Sequence, residues 1–301
     1  MYIPKLNLFP CILSKGLSES HSAMSFIRII SLTCLAMMAF AGNSLLCRQA
    51  LKFTEIDPAS FTSIRLVSGA LVLWLLVRMR QSLPVGKGNW ASALALFAYA
   101  AGFSFSYVSL SAGTGALLLF GAVQVTMIGH GLWVGERLHA LQTLGVMVAF
   151  GGLVGLMLPG LSAPPLLGAS LMIGAGIAWG VYSLRGKGAG DPTRVTAGNF
   201  MRAVPITIVL SVFTLNFATF DTAGVYLAIA SGALASGLGY AIWYTVLPAL
   251  KNTSAASVQL SVPVITAIGG VVFLSEPLTL RLVFASVAIL GGIALVIMQK
   301  R

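Results

Sequence analysis

The 301-residue chain is 57% apolar and only 8% charged, carries a formal net charge of +11 and has a mean hydropathy of +0.95. Soluble domains hold roughly 25% charged residues, so these values exclude a water-soluble globule and specify a membrane protein. The basic excess does not point to nucleic acid, because Lys and Arg fall one to three at a time between apolar segments, the pattern that marks cytoplasmic loops.

In chain order, residues 1–27 are mixed and weakly polar. They read as a cytoplasmic tail or, with Met24 just ahead of the first apolar run, as an overlong gene start. Apolar segments then follow at 28–47, 59–79, 90–110, 114–134 and 140–158. After a connecting loop at 159–165 come 166–184, 198–216, 223–247, 254–274 and 279–298, with a cytoplasmic C-terminus at 299–301. Each segment is about 20 residues, enough to cross the hydrocarbon core. Helices are the expected spanning form because each satisfies its own backbone hydrogen bonds. The expected fold is an all-α integral membrane protein of ten transmembrane helices.

Thirteen Lys and Arg of the loops and tails fall on one side of this arrangement, and Arg48, Lys52 and Arg281 on the other. That bias places both termini in the cytoplasm. The cysteines Cys11, Cys34 and Cys47 have no metal-ligand spacing, and neither a metal nor a cofactor is expected.

The chain repeats itself. A shift of 140 residues lays Ala116 on Ala256, Gly129 on Gly269, Glu136 on Glu276 and Gly151-Gly152 on Gly291-Gly292. Weaker echoes link Ala39-Phe40-Ala41 with Ala178-Trp179-Gly180, Asp57-Pro58 with Asp191-Pro192, and Arg65-Leu66-Val67 with Arg202-Ala203-Val204. Two units of five helices result, 28–158 and 166–298. An odd number of spans per unit inverts one unit relative to the other, a plan used by secondary transporters with the substrate site at the repeat interface.

With its Glu-bearing elbows Gly135-Glu136-Arg137-Leu138 and Ser275-Glu276-Pro277-Leu278, and Asp-Pro ahead of the second and seventh spans, the chain resembles the EamA-type drug/metabolite transporters over residues 28–298. The resemblance implies a solute carrier, usually an exporter, working by alternating access around a central cavity in the bacterial inner membrane. It implies substrates ranging over amino acids, nucleotide-like metabolites and drugs.

Candidate cavity residues are the polar and aromatic side chains near mid-depth: Asn43, Arg65, Tyr99, Gln124, Trp179, Tyr182, Tyr240, Trp243, Gln259 and Pro263. Arg65 reads either as a cavity charge or as a side chain snorkelling to headgroups. Gln124 and Gln259 either line the cavity or bond across helices. Pro263 frees a carbonyl in mid-span, and Trp243 also fits an interfacial aromatic belt. Asn43, Ser44 and Arg65 toward one face, and Tyr182, Ser183, Asn199 and Arg202 toward the other, read as mirrored gates. Glu136 and Glu276, each just before a helix, fit helix-dipole and capping roles. The Gly-x-x-x-Gly runs at 131–135, 151–155 and 176–180 read as packing sites within the bundle.

All seven acids map to loops or helix ends, which disfavours the proton-coupled export of cations that a membrane-embedded glutamate supports. The leading expectation is therefore an exporter of small metabolites such as amino acids. A multidrug or cation exporter, and a channel or structural membrane protein, are the alternatives. No catalytic motif argues for an enzyme. The expected partners are a small solute and the lipid bilayer, with the chain monomeric or a homodimer.

Overall fold

Helix starts in this chain are marked by side chains that accept the orphan N–H groups of the first turn. Asn89 accepts from Ser92 N at 2.9 Å, Asp191 from Arg194 N at 2.8 Å and Asp221 from Gly224 N at 3.2 Å. Asp57 accepts from Ala59 N and Ser60 N, both at 2.9 Å, and its second oxygen takes Thr219 N at 3.0 Å. Burial pushes the Asp57 carboxyl up, but hydrogen bonds from Ser60, Thr219 and Ala59 outweigh it and hold the group below the ordinary carboxylate range.

The computed structural model describes residues 26–79, 86–135, 137–160, 163–186, 189–250 and 258–298. Among them the regular structure is helical throughout, with no strand. The helices are α1 (Phe26–Phe53), α2 (Pro58–Met79), α3 (Trp90–Tyr107), α4 (Ala112–Trp133), α5 (Ala140–Met157), α6 (Leu166–Gly186) and α7 (Pro192–Phe213). They continue as α8 (Thr222–Ala249), α9 (Ser261–Leu274) and α10 (Leu280–Met298). Eight of these are long and apolar enough to cross a membrane. The two that fall short are α3, diluted by Ser92, Tyr99, Ser104, Ser106 and Tyr107, and α9, which has 14 residues. The segment expected at 254–274 begins within 251–257, outside the described residues, and its helix is interrupted at Leu260. That break puts Pro263 in the first turn of α9 rather than mid-helix, where a missing N–H costs nothing.

One departure from the expected regular spans lies in α8. Ser231–Leu238, sequence SGALASGL, is a π-helical turn in the middle of the helix. Its small residues let α8 press on α2: a Cβ on Gly232 would collide with the Arg65 carbonyl oxygen and Ser68 Oγ. Such π turns widen the helix and occur frequently at functional sites.

The principal packing pairs are related to one another by the repeat. Exchanging each helix with the one five places along turns α3–α6 into α8–α1, α4–α6 into α9–α1 and α2–α8 into α7–α3, all of which are in contact. The pairs α2–α7, α4–α9 and α5–α10 map onto themselves. This is the signature of two repeated units docked about a pseudo-two-fold axis.

The α5–α10 pair packs closely because Gly145 faces the Gly292 backbone and Gly152 faces Ala288. Gln142 Nε2 donates to Val296 O (3.2 Å) at one end, and Arg281 Nη1 donates to Leu158 O at the other. Here the expected glycine roles need correction. A Cβ at Gly135, Gly151 or Gly155 would meet nothing, so these do not pack the bundle. Gly176 and Gly180 do, against Leu119, Ala122 and Thr126 of α4.

Candidate functional site

The docked units bury an arginine and a stack of aromatic rings between them. Arg65 of α2 is 1% exposed. Its Nη2 donates to the Tyr99 hydroxyl (3.0 Å) and its Nε to Ser236 Oγ in the π turn (3.4 Å), while Nη1 has no hydrogen-bond acceptor among the described residues. The guanidinium also lies over the Phe103 and Tyr99 rings, 4.8 and 5.2 Å from their centroids, which is cation–π geometry. Tyr99 is a junction, since its hydroxyl also accepts from Asn43 Nδ2 (3.3 Å), and Asn43 Oδ1 accepts from Ser231 Oγ (2.7 Å). Four helices of both units, α1, α2, α3 and α8, thus meet in one network.

Rings extend the cluster toward the other end. Trp179 of α6 lies 4.7 Å from Tyr99, 5.2 Å from Tyr240 and 5.3 Å from Tyr182, centroid to centroid. Tyr240 also meets Phe40 and Phe200. Trp243 is buried edge-on against Phe40, which removes it from an interfacial belt. Seven of the expected cavity residues therefore come together: Asn43, Arg65, Tyr99, Trp179, Tyr182, Tyr240 and Trp243. Arg65 is buried at the unit interface and does not snorkel.

The remaining candidates lie elsewhere. Gln124 lines an apolar cavity of about 160 Å³ between α4, α5 and α10, walled by Val125, Ile128, Val146 and Ile289. Gln259 is half-buried next to the break at Leu260, and Pro263 is buried in the first turn of α9. His130 is exposed at the end of α4.

Asn199 and Arg202 hold the approach to α3. Asn199 Oδ1 accepts from Asn89 N (2.9 Å) and its Nδ2 donates to the Tyr182 hydroxyl (3.4 Å). Arg202 Nη1 donates to the carbonyls of Lys87 (2.6 Å) and Gly198 (2.8 Å). Arg185 reaches Ser92 Oγ and Asn89 Oδ1, both at 3.3 Å. Ser183 donates to the Trp179 carbonyl of its own helix (2.8 Å) and does not reach across, whereas buried Ser44 lies against the Tyr107 hydroxyl.

At the opposite end is a feature the sequence reading missed. Arg48, 8% exposed, pairs with Glu276, 6% exposed, through Nε and Oε1 at 2.9 Å. Arg48 Nη1 also donates to the carbonyls of Tyr107 (2.8 Å) and Val108 (3.1 Å). Glu276 Oε2 takes the Ala112 N–H at 2.7 Å, the first N–H of α4. The expected capping role of Glu276 is thereby redirected. Ser275 sits in the left-handed region at φ 51°, which turns Glu276 back toward the bundle, where it faces the start of α4. The first turn of α10 is capped instead by Thr279, which accepts from Leu282 N (3.2 Å). The matching Glu136 lies outside the described residues. Arg48 and Glu276, both on the face with few Lys and Arg, were the available signal for this pair. Among the described residues no group of three or more His, Cys, Asp or Glu could hold a metal.

Comparison with known proteins adds the context. Residues 27–158 and 166–298 each match the model of the EamA-like transporter family. An uncharacterized protein of Pseudomonas aeruginosa is 56% identical over 274 residues, 91% of this chain and 96% of its own length. The uncharacterized transporter YoaV of Bacillus subtilis is 22% identical over 79% of this chain and 87% of its own. The threonine/homoserine exporter RhtA of Salmonella typhimurium is 29% identical over 42% of this chain and 44% of its own. A crystal structure of a protein 18% identical superposes with a TM-score of 0.59, covering 89% of this chain and 97% of that one, a likeness of fold.

Proposed function

As the chain belongs to the EamA-like transporter family, we propose that it is a secondary transporter exporting small metabolites such as amino acids. Two inverted five-helix repeats, 28–158 and 166–298 joined at 159–165, alternate access to the Arg65–Tyr99–Trp179–Tyr240 cluster. The observation that carries this reading is the repeat-related set of principal packing pairs with that cluster straddling the two units. In this reading α3 and α9 span the membrane with the other eight helices. Five spans per repeat make the pseudo-two-fold axis lie in the membrane plane. In this reading the protein lies in a bacterial inner membrane with both termini cytoplasmic, which the excess of Lys and Arg in the loops of one side supports. Nothing in the mechanism calls on a cofactor or on enzymatic turnover.

Export of an amino acid draws support from the partial similarity to RhtA. A cation exporter is disfavoured by the chemistry of the cluster, whose buried charge is a guanidinium and whose neighbours include no carboxylate among the described residues. A channel reading lacks, among the described residues, a ring of like charges or carbonyls to act as a filter.

The mirrored gates are Asn43, Ser44 and Arg65 with Tyr99 and Ser231 at one end, and Tyr182, Ser183, Asn199 and Arg202 with Asn89 at the other. The test replaces Asn43 and Ser231, or Tyr182 and Asn199, by cysteine pairs in a background lacking Cys11, Cys34 and Cys47. Oxidative cross-linking of either pair is expected to stop solute flux in proteoliposomes, and reduction to restore it. Flux that continues through a verified cross-link refutes the gates.

A further inference from the structure

We propose that Arg65 docks a carboxylate and that the body of the ligand lies against the Tyr99–Trp179–Tyr240 rings, so that the solute is a small carboxylate with a flat apolar body. The proposal rests on the carrier reading and specifies the chemistry that its central site recognises.

Two other guanidinium groups of this protein hold carboxylate or carbonyl acceptors. Arg48 has a carboxylate and two backbone carbonyls. Arg202, less buried, has two carbonyls. Arg65 is the most enclosed of the three, yet its protein acceptors are two neutral hydroxyls, and Nη1 has none. A charge in an apolar bundle is retained at high cost and belongs where a partner arrives. The described acids are engaged elsewhere or exposed: Asp57, Asp191 and Asp221 cap helices, Glu276 holds Arg48, and Glu55 is at the surface. The missing acceptor therefore comes from outside the described chain.

A guanidinium offers a planar fork, and a carboxylate matches it with two parallel charge-assisted hydrogen bonds. Ser236 lies buried in the π turn beside the fork, and its hydroxyl, which accepts from Arg65 Nε, keeps a proton to donate to the carboxylate. Beyond Tyr99 the site is aromatic. Trp179 is only partly buried among Tyr99, Tyr182 and Tyr240, so its accessible edge is where an apolar body would lie. No described carboxylate contacts Arg65 or these rings to hold an ammonium group. An amine gains ring contacts alone and is opposed by Arg65, so affinity should fall from carboxylate through zwitterion to amine.

The test measures binding of radiolabelled phenylacetate to the full-length protein in nanodiscs, with competition by unlabelled phenylacetate, phenylalanine, phenethylamine and acetate. Expected are saturable binding, competition in the order phenylacetate, phenylalanine, phenethylamine, and weak competition by ringless acetate. Arg65→Gln should weaken binding by about 10- to 100-fold, the worth of charge-assisted hydrogen bonds, and Arg65→Lys by less. Absence of saturable phenylacetate binding overturns the proposal. So does phenethylamine competing as well as phenylacetate, or R65Q binding unchanged while its thermal midpoint shows it folded. If R65Q fails to fold, the wild-type competition order decides. Saturable exchange of another solute that ignores both phenylacetate and R65Q overturns this site and leaves the carrier standing. Arg65-dependent binding without flux of any solute supports the site and refutes the carrier.

Discussion

Removing the Glu276 carboxylate should unlatch one end of the bundle. In Glu276→Ala, Arg48 keeps the carbonyls of Tyr107 and Val108 but loses its counter-ion, and the Ala112 N–H loses its 2.7 Å acceptor. Truncating one member of a buried pair costs about 3–5 kcal/mol. The two remaining carbonyls place this case at the low end, about 3 kcal/mol. The clamp ties α1 and the end of α3 to the start of α4 and the α9–α10 turn. If its rupture is required for that end to open, 3 kcal/mol raises the open population by about 100-fold. Cys47 reports on the opening, being fully buried on α1 next to Arg48. In a C11S C34S background, maleimide labelling of Cys47 in membranes should accelerate by up to about that factor in E276A. The thermal midpoint in nanodiscs should fall by several degrees. Combining R48M with E276A should recover at least about 1 kcal/mol relative to the sum of the single changes, because no uncompensated charge is left. A loss within about 0.5 kcal/mol of wild type, or strict additivity, would show that the pair carries no structural weight.

Other perturbations reach other parts of the account. Gly88 has φ +69° and lies against the Asn199 backbone and side chain, so Gly88→Ala should cost more than about 1 kcal/mol in thermal unfolding; an unchanged midpoint would count against this packing. Gly292→Leu should separate α10 from α5, where a Cβ already meets Gly145 and Ala149. An overpacking loss of about 1–3 kcal/mol is expected, and wild-type stability would show that α5 and α10 do not touch there. The Asp57 carboxyl titrates lower in the folded state than in the unfolded one. Its stabilisation is thus fully present above the ordinary aspartate value of about 4 and is lost as pH falls through the folded value. Asp57→Asn should be less stable than wild type at neutral pH and converge with it in acid; parallel curves would refute the assignment. Tyr99→Phe removes the hydroxyl shared by Arg65 and Asn43 and should cost about 1–3 kcal/mol in unfolding; no loss would show that the junction is not formed.

Much of the architecture was legible because hydrophobic length and repetition are one-dimensional properties. Apolar runs bounded by Asp-Pro and other turn residues gave helices close to the observed limits, and the shift of 140 residues pointed to two units. Position along each apolar run was legible too, and so the aromatic residues and Arg65 could be singled out. Azimuth was not. In a chain apolar on every side, no amphipathic stripe tells which face of a helix points inward. The sequence therefore could not separate Gln124, which lines the cavity between α4, α5 and α10, from the residues around Arg65, and Gly151 and Gly155 passed for packing sites although nothing meets them. The pairing of Arg48 with Glu276 depends on the left-handed turn at Ser275, which redirects a side chain that sequence position assigned to the next helix. The π turn of α8 was hidden for a similar reason, since SGALASGL supports a regular helix and only its docking on Arg65 favours the wider one.

The claim that most needs direct measurement is that the two units carry solute by alternating access. Proteoliposomes preloaded with unlabelled phenylalanine or threonine, then given the same amino acid in labelled form, separate the possibilities. A carrier accumulates label transiently above equilibrium by exchange, saturates, and loses this behaviour when the Asn43–Ser231 or Tyr182–Asn199 positions are cross-linked. Uptake that rises linearly with concentration, shows no dependence on the preloaded solute and survives both cross-links would contradict the account.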